Sequence, residues 1–387
     1  MREPMITFFG ISSLETYTPF TMAAIGNRGT VTKASGFNAQ ADAQKLQEAM
    51  KGAVFGISSL ETDTPFTMAA FGDRGTVTEA SCFDAQADAQ KLREAIKGAG
   101  TNEATIIEVL AHRTIIQRQR IKEAYKQTVG KDLADDLSSE LSGNFRDVVL
   151  GLLMLAPVYD ANELRNAMKG SGTDEACLID ILASKSNTEV KTIILAYKKE
   201  YGEDLEEAVT GETSGMFQRV LVSLLSAARD ESDRVDEAQV VQDAKEIYEA
   251  GEAEWATDED KFLSVLCGRN QHHLLKVFVA YQKISGRDIE ESIESEMSGP
   301  LADVFLAIVK CLRNKSAFFA GRLYKSVTGP GVTDSILIRT VVSRAEIDML
   351  NIKAQFQRMY GKSLSSIIKA DTSGDYCQIL LELCGGE

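Results

Sequence analysis

Four short phrases in this sequence place an acidic residue directly before a turn: "SELSGNF" at 139–145, "GETSGMF" at 211–217, "SEMSGPL" at 295–301 and "ADTSGDY" at 370–376. The acids are Glu140, Glu212, Glu296 and Asp371. A second phrase recurs ahead of each of them: "AIKGAGT" at 95–101, "AMKGSGT" at 167–173, the diverged "AGEAEWATDED" at 250–260, and "SVTGPGV" at 326–332. Each of Gly100, Gly172, Ala256 and Gly331 precedes its acid by 40 residues. Glycine tolerates positive φ, so a Gly-x-Gly loop can turn backbone carbonyls toward one point. Carbonyls joined by one carboxylate form an all-oxygen set, which suits a hard cation such as Ca2+ rather than zinc. The protein supplies only part of the shell that calcium needs, so water or a phosphate oxygen completes it.

Positioning such a set over 40 intervening residues requires a regular scaffold. In "ADAQKLREAIKG" the apolar residues fall at 89, 92 and 95/96, one stripe of an amphipathic helix. "TNEATIIEVLAHR" reads as a second helix with Thr101 as its N-cap. A third helix runs to Gly130, a fourth is stopped by Gly143, and the nearly all-apolar "FRDVVLGLLMLA" is a buried fifth. The first and fourth inter-helix turns then lie at one end of a bundle. The chain is thus expected to be all-α, four units of about 70 residues with five helices each. The expected boundaries are a head at 1–84 and repeats at 85–156, 157–228, 240–314 and 315–387. A polar linker, "ARDESDRVDEAQ", separates the second repeat from the third.

A shorter, near-exact repeat lies in the head. Residues 9–53 match 55–99 at all but eight of 45 positions. Near-identity over that length marks a recent duplication, or a doubled stretch in the gene assembly, rather than two separately useful modules. The first copy ends in "AMKGAV" at 49–54, with Val54 where the second loop glycine belongs and no facing acid. Residues 1–54 are therefore expected to bind no calcium.

Bulk properties narrow the function class. With 57 acids against 42 bases the 387-residue chain carries a formal charge of −15. That disfavours nucleic acid, and anionic membranes too unless a cation intervenes. The six cysteines show no CxxC pair and no metal-ligand spacing, consistent with reduced thiols in the cytosol. No run approaches the roughly 20 apolar residues of a spanning helix, and the start of the chain does not read as a signal peptide. The three histidines stand outside any HExxH or triad context, no P-loop or EF-hand loop occurs, and no enzymatic activity is expected. His112 reads as a capping or packing residue.

The "KGAGTNE" and "KGSGTDE" loops and the Asp/Glu-x-Ser-Gly turns, in four units of about 70 residues, resemble the annexins. That resemblance covers roughly 84–386. It implies a slightly curved disc that binds acidic phospholipids such as phosphatidylserine reversibly, in a calcium-dependent manner, with roles in membrane organisation, vesicle aggregation or exocytosis. It also implies calcium ligands: carbonyls of Ile96, Gly98 and Gly100 with the Glu140 carboxylate in repeat one, and a secondary site at Thr101 and Glu103. Repeat two would use Met168, Gly170, Gly172 and Glu212. Repeat three would use Gly251, Glu254, Ala256 and Glu296, and repeat four Val327, Gly329, Gly331 and Asp371. Ala256 departs from the family's glycine, and Thr328, Pro330 and Val332 depart from its loop text. Trp255 would insert at the membrane interface. Arg146 stands where a further family site has an acid, so that site is not carried over. Asp160, Glu163, Lys185, Arg339 and Asp348 match the family's central hydrophilic channel, where ion pairing between modules is favoured over conduction. A calcium-independent helical-repeat scaffold for protein partners is the alternative reading.

Overall fold

The structure is a computed structural model that describes residues 74–98, 100–170, 172–252, 259–328 and 333–386. The chain divides into two compact units, 1–60 and 61–387, and every described residue belongs to the second. Its described residues form nineteen α-helices and no strand. The first repeat comprises α1 (Ala85–Ile96), α2 (Glu103–Leu110), α3 (Ile115–Val129), α4 (Leu133–Glu140) and α5 (Gly143–Leu152). The second comprises α6 (Ala156–Ala167), α7 (Glu175–Leu182), α8 (Asn187–Tyr201), α9 (Leu205–Glu212) and α10 (Gly215–Leu225). The third follows as α11 (Glu237–Glu252), α12 (Glu259–Gly268), α13 (Gln271–Ser285) and α14 (Ile289–Glu296). The span α15 (Gly299–Thr328) takes in the fifth helix of repeat three and the first of repeat four, separated at Asn314 by a non-helical φ/ψ of −162°/95°, where Asn314 Oδ1 accepts from Ala317 N at 3.0 Å. The fourth continues with α16 (Asp334–Arg344), α17 (Met349–Tyr360), α18 (Leu364–Asp371) and α19 (Gly374–Leu383). Among the described residues no helix is long and apolar enough to cross a membrane.

Local chemistry sets the ends of these helices. The Asp84 carboxylate accepts from the backbone N–H groups of Gln86 and Ala87 at the head of α1. Thr114 and Gln117 form a reciprocal capping box on α3, as Ser186 and Glu189 do on α8. α3 ends at Gly130 as its sequence suggests. Two sequence-based expectations are corrected. Asn102 caps α2 in place of Thr101, because its side-chain oxygen accepts from Thr105 N at 3.1 Å. Gly143 does not stop the fourth helix, which ends at Glu140; it opens the fifth. His112 follows the end of α2, where its Nδ1 lies 3.1 Å from the Glu108 carbonyl, a capping contact.

The apolar stripe of α1 (Ala89, Leu92, Ala95) is buried, and α1 packs on α3. The same pairing joins α6 to α8, α11 to α13 and α15 to α17. Full burial of one Leu or Phe is worth about 1.5–3 kcal/mol, and α5 alone buries Phe145, Val148, Val149 and Leu152. The fifth helices reach beyond their own repeats: α5 packs on α16 and α19, and α10 packs on α12 and α15. The linker between repeats two and three is held on both sides. The Arg229 guanidinium donates to the Arg269 carbonyl, Asn187 donates to the Arg229 carbonyl, and Asp230 N donates to the Gly268 carbonyl.

Charged side chains fill the contact between repeats two and four. Asp180 on α7 is 5% exposed and meets Arg322 at 2.8 Å and Arg339 at 3.1 Å. Arg339 also faces Glu163 at 3.6 Å. Asp160 pairs with Lys185 inside repeat two, and Arg344 with Asp348 at 2.8 Å inside repeat four. All five residues matching the family's channel therefore have ion-pair partners. Sequence reasoning missed Asp180, Arg322 and Arg344, which complete the cluster.

An internal comparison shows how the pattern varies. Asp88, Asp160 and Asp243 each hold a cation of the same repeat: Arg113, Lys185 and Arg269. In repeat four Phe319 occupies that position, and the Arg344 guanidinium lies over its ring, 4.8 Å from the centroid. Burial pushes the Asp180 and Glu163 carboxyls above the ordinary carboxylate range, against the lowering pull of their arginines. Acids with raised folded values favour the fold fully below the ordinary carboxylate range, near pH 4. That contribution is lost as pH rises through the raised values. Removing Arg339 leaves both carboxylates underpaired. Arg339→Met should destabilise the protein by roughly 3–5 kcal/mol at pH 8, and the deficit should shrink on acidification toward pH 5. Urea unfolding of both chains at the two pH values checks this; a pH-independent deficit would contradict the ionic account.

Candidate metal centre

Each candidate centre starts at the C-terminal end of a repeat's first helix. The carbonyls there have no successor turn to bond, and the helix dipole places partial negative charge at the same end. After α1 the backbone enters left-handed space at Gly98 (φ 126°) and Gly100 (φ 108°). After α6 it does so at Gly170 (φ 109°) and Gly172 (φ 131°). An L side chain at these angles is strained even though open space surrounds each glycine. The loops close with one hydrogen bond seen three times. Asn102 N donates to the Ala95 carbonyl at 2.9 Å, Asp174 N to Ala167 at 2.8 Å, and Thr333 N to Ser326 at 2.8 Å.

The facing turn is equally uniform. Glu140, Glu212, Glu296 and Asp371 are the last residues of α4, α9, α14 and α18, and all four are exposed. Three residues on, Gly143, Gly215, Gly299 and Gly374 begin the next helix with φ between 59° and 62°. The reversal at Ser-Gly leaves the acid at a helix C-terminus, where a second dipole end adds negative potential. The loop and turn meet in repeat two, where the Thr173 hydroxyl donates to the Glu212 backbone carbonyl at 3.2 Å. Repeat four has a related link, with the Tyr376 hydroxyl donating to Asp334 Oδ1 at 2.8 Å. Sequence periodicity carries no signal for these two side-chain bonds.

Oxygen atoms at this end are free. Among the described residues, no hydrogen bond reaches the carbonyls of Gly98, Gly100, Gly170 or Gly172, and the Glu140, Glu212 and Asp371 carboxylates have no hydrogen-bond or ion-pair partner. Nor do the described residues hold a cluster of three or more His, Cys, Asp or Glu with metal-binding geometry. The donor set is thus backbone carbonyl plus a single acid. It fits a hard cation that keeps open positions, and does not fit a tetrahedral nitrogen–sulfur site.

The remaining expected ligands fall as follows. Ile96 ends α1, Met168 caps α6 at 8% exposure, and Val327 lies in the last turn of α15. Thr101 lies in the first loop and Glu103 is the first residue of α2, a place taken by Glu175 in α7 and Asp334 in α16. Gly251 is buried within α11, so repeat three stays helical further than repeats one and two. Glu254, Trp255, Ala256, Gly329 and Gly331 lie outside the described residues, as does the "AMKGAV" stretch. Arg146 pairs with its neighbour Asp147 at 3.4 Å.

The family model described as Annexin matches residues 87–152, 159–224, 242–308 and 318–383, each block running from the first helix of a repeat into its fifth. Annexin A4 of Sus scrofa is 59% identical to the chain over 366 residues, covering 95% of this chain and 100% of that protein. The solved structure of annexin III is similar with a TM-score of 0.80 at 44% identity, covering 82% of this chain and 98% of that one. A calcium-bound annexin (Sm)1 is similar with a TM-score of 0.71 at 34% identity, over 82% and 96% of the two chains. Four matched blocks, one loop-and-turn geometry and near-complete coverage of such relatives lead to one conclusion: the chain belongs to the annexin family.

Proposed function

We propose that this chain binds acidic phospholipid surfaces, phosphatidylserine among them, reversibly and through Ca2+, as a non-enzymatic membrane organiser of the cytosolic face. The observation that carries the reading is the set of free oxygens at the loop and facing turn of repeats one and two. In repeat one the carbonyls of Ile96, Gly98 and Gly100 and the Glu140 carboxylate would hold the ion; in repeat two those of Met168, Gly170, Gly172 and Glu212 would. Bound there, calcium supplies positive charge and open coordination positions to lipid phosphate oxygens. The chain contributes the geometry: glycine angles that aim the carbonyls, a Ser-Gly reversal that exposes the acid, and helix ends that deepen the potential. Several weak sites on one scaffold act together through effective concentration, so vesicle binding rises steeply with calcium. Family membership and the calcium-bound annexin (Sm)1 relative support the choice of ion.

Co-sedimentation with phosphatidylserine vesicles, with calcium and then with chelator, tests the reading. Binding should appear with calcium and reverse on chelation. Binding indifferent to calcium would favour the calcium-independent scaffold instead. In the same assay, Glu140→Gln combined with Glu212→Gln should raise the calcium needed for half-maximal binding by at least about tenfold, the cost of losing even an outer-shell metal partner. Deleting residues 1–54 should leave both the calcium requirement and the vesicle binding unchanged, since that stretch lacks the second loop glycine and a facing acid.

A further inference from the structure

The first two candidate centres share one backbone plan and differ in the side chains that hold it. Gly98 and Gly100 in repeat one, and Gly170 and Gly172 in repeat two, all have φ between 108° and 131°. Gly143 and Gly215 reverse the facing turns at 59° and 62°. Asn102 and Asp174 cap α2 and α7 in the same way, each accepting from the backbone N–H three residues on. By backbone alone the two centres are near-equivalent.

The ties on the facing turns are not. In repeat two, Gln218 Nε2 donates to the carbonyls of Thr210 at 2.8 Å and Thr213 at 2.5 Å, so it brackets Glu212 from both sides. The Thr213 hydroxyl donates to the Val209 carbonyl at 2.6 Å. From the loop, the Thr173 hydroxyl reaches the Glu212 carbonyl at 3.2 Å. These bonds engage carbonyls at a helix end, where intrahelical donors run out. The matching positions in repeat one hold Arg146, Leu141 and Thr101. Arg146 pairs with its neighbour Asp147 instead, and leucine has no hydroxyl to donate. Among the described residues no side chain donates to a carbonyl of residues 137–141, and the Thr101 hydroxyl makes no hydrogen bond.

We propose that repeat two is the pre-organised centre of the pair, with Gln218 and Thr173 as its positioning residues, and that it takes Ca2+ before repeat one does. The inference rests on the calcium reading above. An ion entering repeat two meets a turn that is already fixed, with the Glu212 carboxylate left free. Repeat one must order its turn on binding, and that ordering lowers its net affinity. Partners one shell out from a metal change its affinity by about 10–100-fold. Repeat two should therefore fill at calcium concentrations about tenfold lower than repeat one. The response of the chain to calcium is then staged, one centre loading at low calcium and the other only as the concentration climbs.

A calcium titration of the full chain without lipid, followed at the amide signals of Gly98, Gly100, Gly170 and Gly172, reads the two centres separately. Signals of Gly170 and Gly172 should move first. Backbone order parameters in chelator supply a readout that involves no ion: residues 212–215 should be more rigid than residues 140–143. Gln218→Met and Thr173→Val should each loosen residues 212–215 and raise the repeat-two midpoint, by about tenfold for Gln218→Met, whereas Thr173→Ser, which keeps the hydroxyl, should behave as the parent chain. In repeat one, Arg146→Gln should stiffen residues 140–143 and lower the midpoint. Arg146→Met removes the same charge without supplying a donor and should leave the turn loose. Simultaneous filling, repeat one filling first, or equal rigidity of the two turns in chelator would overturn the proposal while leaving calcium binding intact. Silence of all four glycine signals would remove the calcium reading together with it.

Discussion

The fifth helices of repeats one and two take their cover from other repeats, and that constraint shapes the rest. α5 is apolar on most of its surface and finds its cover on α16 and α19, while α10 finds its cover on α12 and α15. Repeat one is thereby tied to repeat four across the length of the chain, and repeat two to repeat three, its neighbour in sequence. Where repeat two meets repeat four the contact is charged, with Asp180 between Arg322 and Arg339. Where repeat one meets repeat four, Arg118 on α3 is fully buried and pairs with Glu346 at 3.0 Å. Such pairs contribute little net stability over an apolar filling, and their removal one partner at a time is costly. They hold the repeats in register more than they hold them together.

The metal loops exploit what this packing leaves over. A helix that ends in the open has unbonded carbonyls, and the chain places two such ends, one with an acid, beside each other in each of the first two repeats. Nothing in the arrangement requires a buried or perturbed ligand. On the proposed function, one centre would bind modestly because the protein gives it only part of a shell, and repetition together with a surface that supplies the missing oxygens would make up the difference.

The five-helix unit was legible because its apolar spacing and its glycine stops are local. The 40-residue partnership was legible because duplication repeats it. Errors arose where one residue type serves two roles. Thr101 and Asn102 are both good caps, and only the backbone decides that Asn102 reaches Thr105 N. A glycine can end a helix or begin one, and Gly143 at φ 59° begins it. The charged cluster was half-read: Asp160, Glu163, Lys185, Arg339 and Asp348 came with the resemblance, whereas Asp180 and Arg322, 142 residues apart, leave no periodic trace.

The pairing of first with last repeat also has a consequence in time. A ribosome delivers repeats two and three in succession, so α10 can meet α12 soon after both emerge. α5 is complete at Leu152, but its cover on α19 ends only at Leu383. At about 5–20 residues per second, the first repeat waits roughly ten to fifty seconds with its apolar side uncovered. The newborn chain thus exposes apolar helix surface until α19 is made, and that helix acts as the closing clasp.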